Sequence, residues 1–437
     1  MTDVVKSIIK TLWYQLRILW AYKDLLRNVM PPIRNWYVKR FAESQRQAAQ
    51  RLRDRDVINV AFQLTAPSIW KNDYLYQAME RSDRYHPYIV IMPSTFFRHD
   101  DRASVEATID ATECFVKEKG YEYVLPYDRQ SHRWKDFCQS HKPDIMVFSV
   151  PYKDTFPKYY IYNFRDTFTC LIPYAFISFD IRKLQYGLIF HSLVGLHVVE
   201  TEIHKQMAAK VAYNKAINCV VTGYPGIEVF LRKDYLPKMQ WKQQETLKKR
   251  VIWAPHHTIE SVAGYSTFLR YCDSMLDLAR RYSDRVQFVF KPHQVLKLKL
   301  HKLWGVERTE QYYSRWKSLS NGQLEEGSYV DLFLASDAII HDSGSFTTEY
   351  LYVGKPCMFL VSDGDMEAKF NEFGKQAYAQ YYKGHSLEEI EKFLLHVVLE
   401  GNDPMFVQRE NFLKTVLTPN RMPSELIIEA IERKINA

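Results

Sequence analysis

The chain has few cysteines, and none are close together. Six in 437 residues, at positions 114, 138, 170, 219, 272 and 357, form no Cys-x-x-Cys pair. That spacing excludes a structural zinc knot and a disulfide scaffold, and predicts reduced thiols in a cytoplasmic setting. No run of about 18 apolar residues exists, so no spanning helix is expected. The N-terminus lacks the small-residue cleavage pattern of a signal peptide. Internal repeats and low-complexity segments are also missing. A hydrophobic content of 46% and an aromatic content of 15% exclude a disordered chain.

Basic charge is missing from most of the chain. Of the net +8, residues 1–56 carry +7, with twelve Lys/Arg against five Asp/Glu. A nucleic-acid enzyme carries its basic surface on its folded domains, so no nucleic-acid partner is expected. In the leader, Val5, Ile9, Leu12, Leu16, Leu19 and Leu26 follow helical spacing, with Trp13 and Trp20 beside them. Lys6, Lys10, Arg17, Lys23 and Arg27 interrupt these positions, and Met30-Pro31-Pro32 stops the helix. A second basic helix is expected from about Trp36 to Arg53. Tryptophan with Lys/Arg is the composition of an interfacial helix, so residues 1–56 are expected to bind an anionic membrane surface. The alternatives are a helix packed on the protein's own body, or a coiled coil that makes an oligomer.

From Val57 onward strands and helices alternate. "VINVAFQL", "YIVIMPS", "DIMVFSV" and "LIPYAFISF" read as strands. "SIWKNDYLYQAMERS", "RASVEATIDATECFVKEKG", "SHRWKDFCQSH" and "HVVETEIHKQMAAKVAYN" read as helices. The alternation implies parallel sheets covered by helices. The polar stretch 234–250, which contains Pro237, reads as a linker. The expected division is a leader at 1–56, a first Rossmann-like domain at 57–235 and a second at 246–437. Two such units suggest a two-domain enzyme with a cleft, where ligands bind beyond the carboxyl ends of the strands.

Three loops in the second half follow apolar strands. "WAPHHTIE" carries His256 and His257, and "FKPHQ" carries Lys291 and His293. "AIIHDSGSFTTEY" carries Asp342, Ser343, Gly344, Ser345 and Glu349. Imidazole acts as base, acid or cationic phosphate partner near neutral pH. A helix start with Ser and Gly suits phosphate, and Asp342 would cap or orient the loop. Glu349 falls one turn after Ser345, where a carboxylate would accept hydrogen bonds from ribose hydroxyls. Adjacent histidines lack the i, i+4 spacing of helical zinc sites, so no metal is expected.

The order of these loops resembles the CDP-glycerol glycerophosphotransferase family, whose members build teichoic acids and related capsular polymers. "TGYPGIEVFL", "VIWAPHHT", "FVFKPHQVL" and "DLFLASDAIIHDSGSFTTEYLYVGKPCMFL" carry the resemblance, which covers about 220–361 well and 57–219 weakly. It implies a GT-B fold, with the donor nucleotide on the second domain and the acceptor on the first. The family's first domain carries a Trp-His-Gly-Thr-Pro loop whose histidine is the base, whereas this chain has "YAFISFDIRK". Asp180 is the nearest polar substitute.

The reading that follows is a nucleotide-dependent transferase of cell-surface polymer synthesis, peripheral on the inner face of the membrane. It would move a polyol phosphate or sugar from a CDP- or UDP-activated donor to a lipid-linked or glycan acceptor, without a cofactor. Asp180, His256 or His257 would be the base. His293, Lys291 and the helix start at Ser343–Ser345 would stabilise the leaving phosphate. Two alternatives remain: a sugar-nucleotide epimerase of the UDP-N-acetylglucosamine 2-epimerase type, and a non-catalytic assembly protein with a GT-B body.

Overall fold

Strands such as Ile145–Phe148 and Cys357–Leu360 are buried along their whole length. Strands of that kind pair in parallel, with helices on both faces. The computed structural model describes residues 30–437, except 93–101, 140, 153–154, 156, 261–264, 345 and 363. Residues 1–29, where the first leader helix is expected from the sequence, and Ser345 lie outside the described residues.

The chain forms two GT-B-type units, each a parallel sheet with helices. Unit 1 takes residues 30–174, 182–225 and 423–437, and unit 2 takes 175–181 and 226–422. These are not the contiguous halves expected from the sequence. Residues 226–235 belong to unit 2, as does the short strap 175–181. The C-terminal helix Pro423–Ile435 belongs to unit 1.

The strands of unit 1 are β1 (Ile58–Leu64), β2 (Tyr85–Ile91), β3 (Tyr123–Val124), β4 (Ile145–Phe148), β5 (Phe168–Leu171), β6 (Leu196–Val199) and β7 (Cys219–Val221), in the order β3-β2-β1-β4-β5-β6-β7. β1 sits centrally, with Ile58 opposite Tyr85 and Val60 opposite Ile145. The C-terminal helix places Ile427, Ala430, Ile431 and Ile435 in the same core as Val60, Phe62 and Leu75. Arg84 Nε pairs with Glu432 at 3.0 Å on its flank.

The second leader helix spans Pro31–Gln50, with proline in its first turn. Val38 and Phe41 enter the core beside Phe148 and Phe190, and Ala48 and Ala49 reach the opposite face. Gln45 is buried. Its Nε2 donates to the carbonyls of Phe164 and Thr167, and its Oε1 accepts from Thr169 N at 2.8 Å. Residues 31–50 are therefore part of unit 1 and not a detachable membrane leader, because their apolar stripe faces this core. "SHRWKDFCQSH" is not a helix. It forms the two-residue strand Arg133–Trp134 and a short 3-10 turn at Phe137–Gln139.

The strands of unit 2 are β8 (Lys249–Ala254), β9 (Val286–Phe290), β10 (Gly322–Leu324), β11 (Ala338–His341), β12 (Cys357–Leu360) and β13 (Tyr382–Gly384). Their order is β10-β9-β8-β11-β12-β13. The order in which strands are added reverses at β8, whose Val251 lies between Phe288 on one side and Ala338 on the other. Such a switch point leaves a crevice at the carboxyl ends of the two central strands. Here those ends are the start of the His256 loop and the start of the Asp342 loop.

Candidate functional site

The His256–His257 loop leaves β8, and the His293 loop leaves β9. His293 N donates to Pro255 O at 3.1 Å, which ties the two loops together. The three rings converge, with centroids 4.2 Å apart for His256–His257, 4.3 Å for His257–His293 and 5.0 Å for His256–His293. The third loop fixes this arrangement through Asp342, which is fully buried. Its carboxylate accepts from His256 N at 2.5 Å, Thr267 N at 2.5 Å and Thr267 Oγ1 at 2.8 Å. Asp342 thus orients the loops. Burial raises its pKa against the pull of those donors.

The imidazoles are neutral near pH 7. Burial, then the neighbouring His257 and His293, push His256 down to about 2. Burial and His257 push His293 down to about 4. Burial also lowers His257. Their lowered pKa values favour hydrogen bonding over the cationic role that was one of the sequence expectations. The backbone sets the tautomer of His293. Val295 N donates to its Nδ1 at 3.1 Å, so the ring proton sits on Nε2 and is available to a ligand oxygen. His256 Nδ1 meets Thr258 Oγ1 at 3.1 Å, and its Nε2 faces the Tyr265 hydroxyl at 3.4 Å. His257 Nδ1 is buried and has no hydrogen-bond partner among the described residues.

Among the described residues these three histidines are also the one group able to hold a metal, with ligand atoms within 4.8 Å of one another. The adjacent pair gave no hint of this, because the third imidazole comes from another strand. A three-imidazole centre would use Nε2 of His293 and so cost it the Val295 bond.

At the third loop the helix Phe346–Glu349 is a single turn, continued by a 3-10 turn over Tyr350–Val353. Its dipole is correspondingly small. Ser343 and Glu349 are both buried. Glu349 hydrogen-bonds the Tyr329 phenol, whose pKa burial drives up, with Glu349 adding to the effect.

Gly344 was expected to leave room for a phosphate. Instead the strap fills that room: a Cβ added at Gly344 would stand 1.9 Å from Phe179 Cε2. Ser178 Oγ donates to Gly344 O at 3.0 Å, and Asn371 Nδ2 donates to Ile177 O at 3.0 Å. The Phe179 ring stacks on Phe370 at 5.0 Å and 13°. Lys291 is also elsewhere. It is buried, and its Nζ donates to Gly327 O at 2.7 Å, because burial of an ammonium demands an acceptor. Asp180 lies on the strap in unit 2, exposed, with its N donating to Lys369 O at 2.8 Å. The sequence reading missed Tyr265, which stacks on His256 at 4.9 Å and 17°. No sequence pattern marks it. It also missed Thr267 and Phe179.

The profile of the CDP-glycerol:poly(glycerophosphate) glycerophosphotransferase family matches residues 191–393. No curated protein matches the chain by sequence. Among solved structures, the wall teichoic acid polymerase TagF, in a histidine-to-asparagine variant, aligns with a TM-score of 0.55 at 13% identity, covering 95% of this chain and 97% of that one. The S. aureus MnaA–UDP co-structure aligns at 0.53 and 16%, covering 87% and 97%. The UDP-GlcNAc 2-epimerase from Neisseria meningitidis, bound to UDP-GlcNAc, aligns at 0.53 and 14%, covering 86% and 100%. At these identities the neighbours establish the fold, which is the one the resemblance implied. The stretch that matches the CDP-glycerol:poly(glycerophosphate) glycerophosphotransferase family, residues 191–393, includes the three histidines and the Asp342 loop.

Proposed function

We propose that the protein is a nucleotide-dependent transferase of teichoic-acid-like or capsular polymer synthesis. It moves a polyol phosphate or sugar from a CDP- or UDP-activated donor to a lipid-linked or glycan acceptor. The observation that carries this is the buried carboxylate of Asp342, which locks the His256 loop, and through it the His293 loop, onto the loop that leads into Glu349. The family description names a glycerophosphotransferase, and TagF is named as a teichoic acid polymerase. Both support transfer over the epimerase reading, although the epimerases share the fold.

In the reaction, an acceptor hydroxyl forms a bond to the activated phosphorus or sugar carbon, and the bond to the nucleotide leaving group breaks. His257 suits the base, because its buried Nδ1 has no competing partner among the described residues. Asp180 and His256 remain candidates. His256 is the weaker one, with both nitrogens engaged. His293 offers Nε2–H to the departing phosphate oxygen. Glu349 would accept from the ribose hydroxyls. The basic residues of 1–29 would hold the enzyme at the inner membrane face beside a lipid-linked acceptor.

The test is to incubate the purified chain with CDP-glycerol or UDP-sugars and a membrane acceptor, and to follow nucleotide release and acceptor labelling. Transfer supports the proposal, donor isomerisation supports the epimerase, and neither supports an assembly protein. Glu349→Ala should weaken UDP or CDP binding roughly 10- to 150-fold, the value of one charge-assisted hydrogen bond. Unchanged affinity would remove Glu349 from the donor site.

A further inference from the structure

We propose that Lys369 is the cation that engages the diphosphate of the bound nucleotide. The inference rests on the donor-site reading above and adds a residue to it.

At the cluster, His293 offers an Nε2–H donor to a ligand oxygen. A diphosphate carries several negative charges, and a partly buried site needs an opposite one to hold it. The lysines of the neighbouring loops are committed elsewhere. Lys291 serves Gly327 O. Lys299 is paired with Glu260 at 2.5 Å. Lys355 donates to the carbonyls of Leu334 and Ser336, and Lys383 to those of Tyr378 and Tyr381.

Lys369 differs from all of these. It is exposed, and no carboxylate pairs with it among the described residues. Its Nζ lies 5.2 Å from the Tyr265 ring centroid. Tyr265 in turn stacks on His256, and 5.4 Å away it meets Phe179, the ring that covers Gly344. The Lys369 main chain is held too, through the bond from Asp180 N. The ammonium thus rests on the face of Tyr265, the ring that links His256 to the Phe179 cover over Gly344. A cation resting on a ring is prepositioned, yet it is released at small cost when a phosphate arrives. The sequence singled out Lys291 because it lies just past an apolar strand. The fold gives that ammonium a carbonyl partner, Gly327 O, and leaves the Lys369 ammonium on the Tyr265 ring.

Calorimetric titration of the full chain and of Lys369→Gln and Lys369→Arg with UDP and CDP tests this. Lys369→Gln should weaken both nucleotides roughly 10- to 100-fold. Lys369→Arg should retain most of the affinity. Competition by uridine, which has no phosphate, should be the same in all three proteins. Rising salt should weaken wild-type binding more steeply than that of the glutamine variant. Equal UDP and CDP affinity in wild type and Lys369→Gln would overturn the role of Lys369 and leave the donor site standing. An equal loss of uridine would assign the residue to structure. If the wild type binds neither nucleotide, the donor-site reading itself fails.

Discussion

Gly344→Ala separates two explanations of the same glycine. If the residue only admits phosphate, the added methyl should lower nucleotide affinity and leave stability alone. The structure predicts otherwise. The new Cβ would lie 1.9 Å from Phe179 Cε2 and 2.6 Å from Cζ, far inside contact distance. The ring cannot slide away freely, because it stacks on Phe370 and its segment is bonded to Asn371 and Lys369. Gly344 itself has no positive φ, so alanine adds no backbone strain there. The cost is overpacking, about 1–3 kcal/mol. In a unit of this size that corresponds to a fall of roughly 2–10 °C in the melting temperature of unit 2. Phe179→Ala removes the obstruction, so the double variant should be more stable than the two single effects predict, with a coupling of about 1–3 kcal/mol. Urea unfolding of the four proteins measures this. Additive effects, or a Gly344→Ala protein as stable as wild type, would refute the contact.

Two further perturbations follow from the same geometry. Burial depresses His293 to about 4, so the unfolded chain binds protons that the folded chain does not. Stability should therefore rise with pH between about 4 and 6.5, by about 2–3 kcal/mol for this residue, and His293→Gln should flatten that slope in urea titrations. Equal slopes in both proteins would contradict the burial argument. Deleting residues 1–29 should leave a folded protein that no longer sediments with anionic vesicles. Deleting 1–56 should unfold unit 1, because Val38, Phe41 and Ala48 go with it. A folded 57–437 fragment would show that the helix Pro31–Gln50 is dispensable.

Much of unit 2 could be read from the sequence. Apolar runs such as Ala338-Ile339-Ile340 announce buried parallel strands, and the polar residues that follow them mark the carboxyl-end loops. That alone located His256, His257, His293 and Asp342. The run could not show which side chains turn inward. Lys291 follows a strand as the histidines do, yet its ammonium goes to Gly327 O. Tyr265 and Lys369 reach the site only through ring contacts between segments far apart in sequence, which no local period encodes. The helix at 31–50 misled for a related reason. Its basic residues resemble a membrane helix, while its buried positions, Val38, Phe41, Gln45, Ala48 and Ala49, pack on the protein core.

The C-terminal helix of unit 1 sets an order on how this chain comes to be folded. A ribosome delivers the unit 1 strands first, but the residues that close their core, Ile427, Ile431 and Ile435, arrive last. Until then the nascent unit 1 carries an open apolar face while roughly 200 residues of unit 2 are still being made. Closing a loop of that length costs on the order of 5 kcal/mol in chain entropy. Unit 2 has no such wait, because its one early segment, the strap 175–181, is already synthesised. Unit 2 should therefore reach its native state first, and a chain stalled near its end should expose unit 1 to chaperones and proteases.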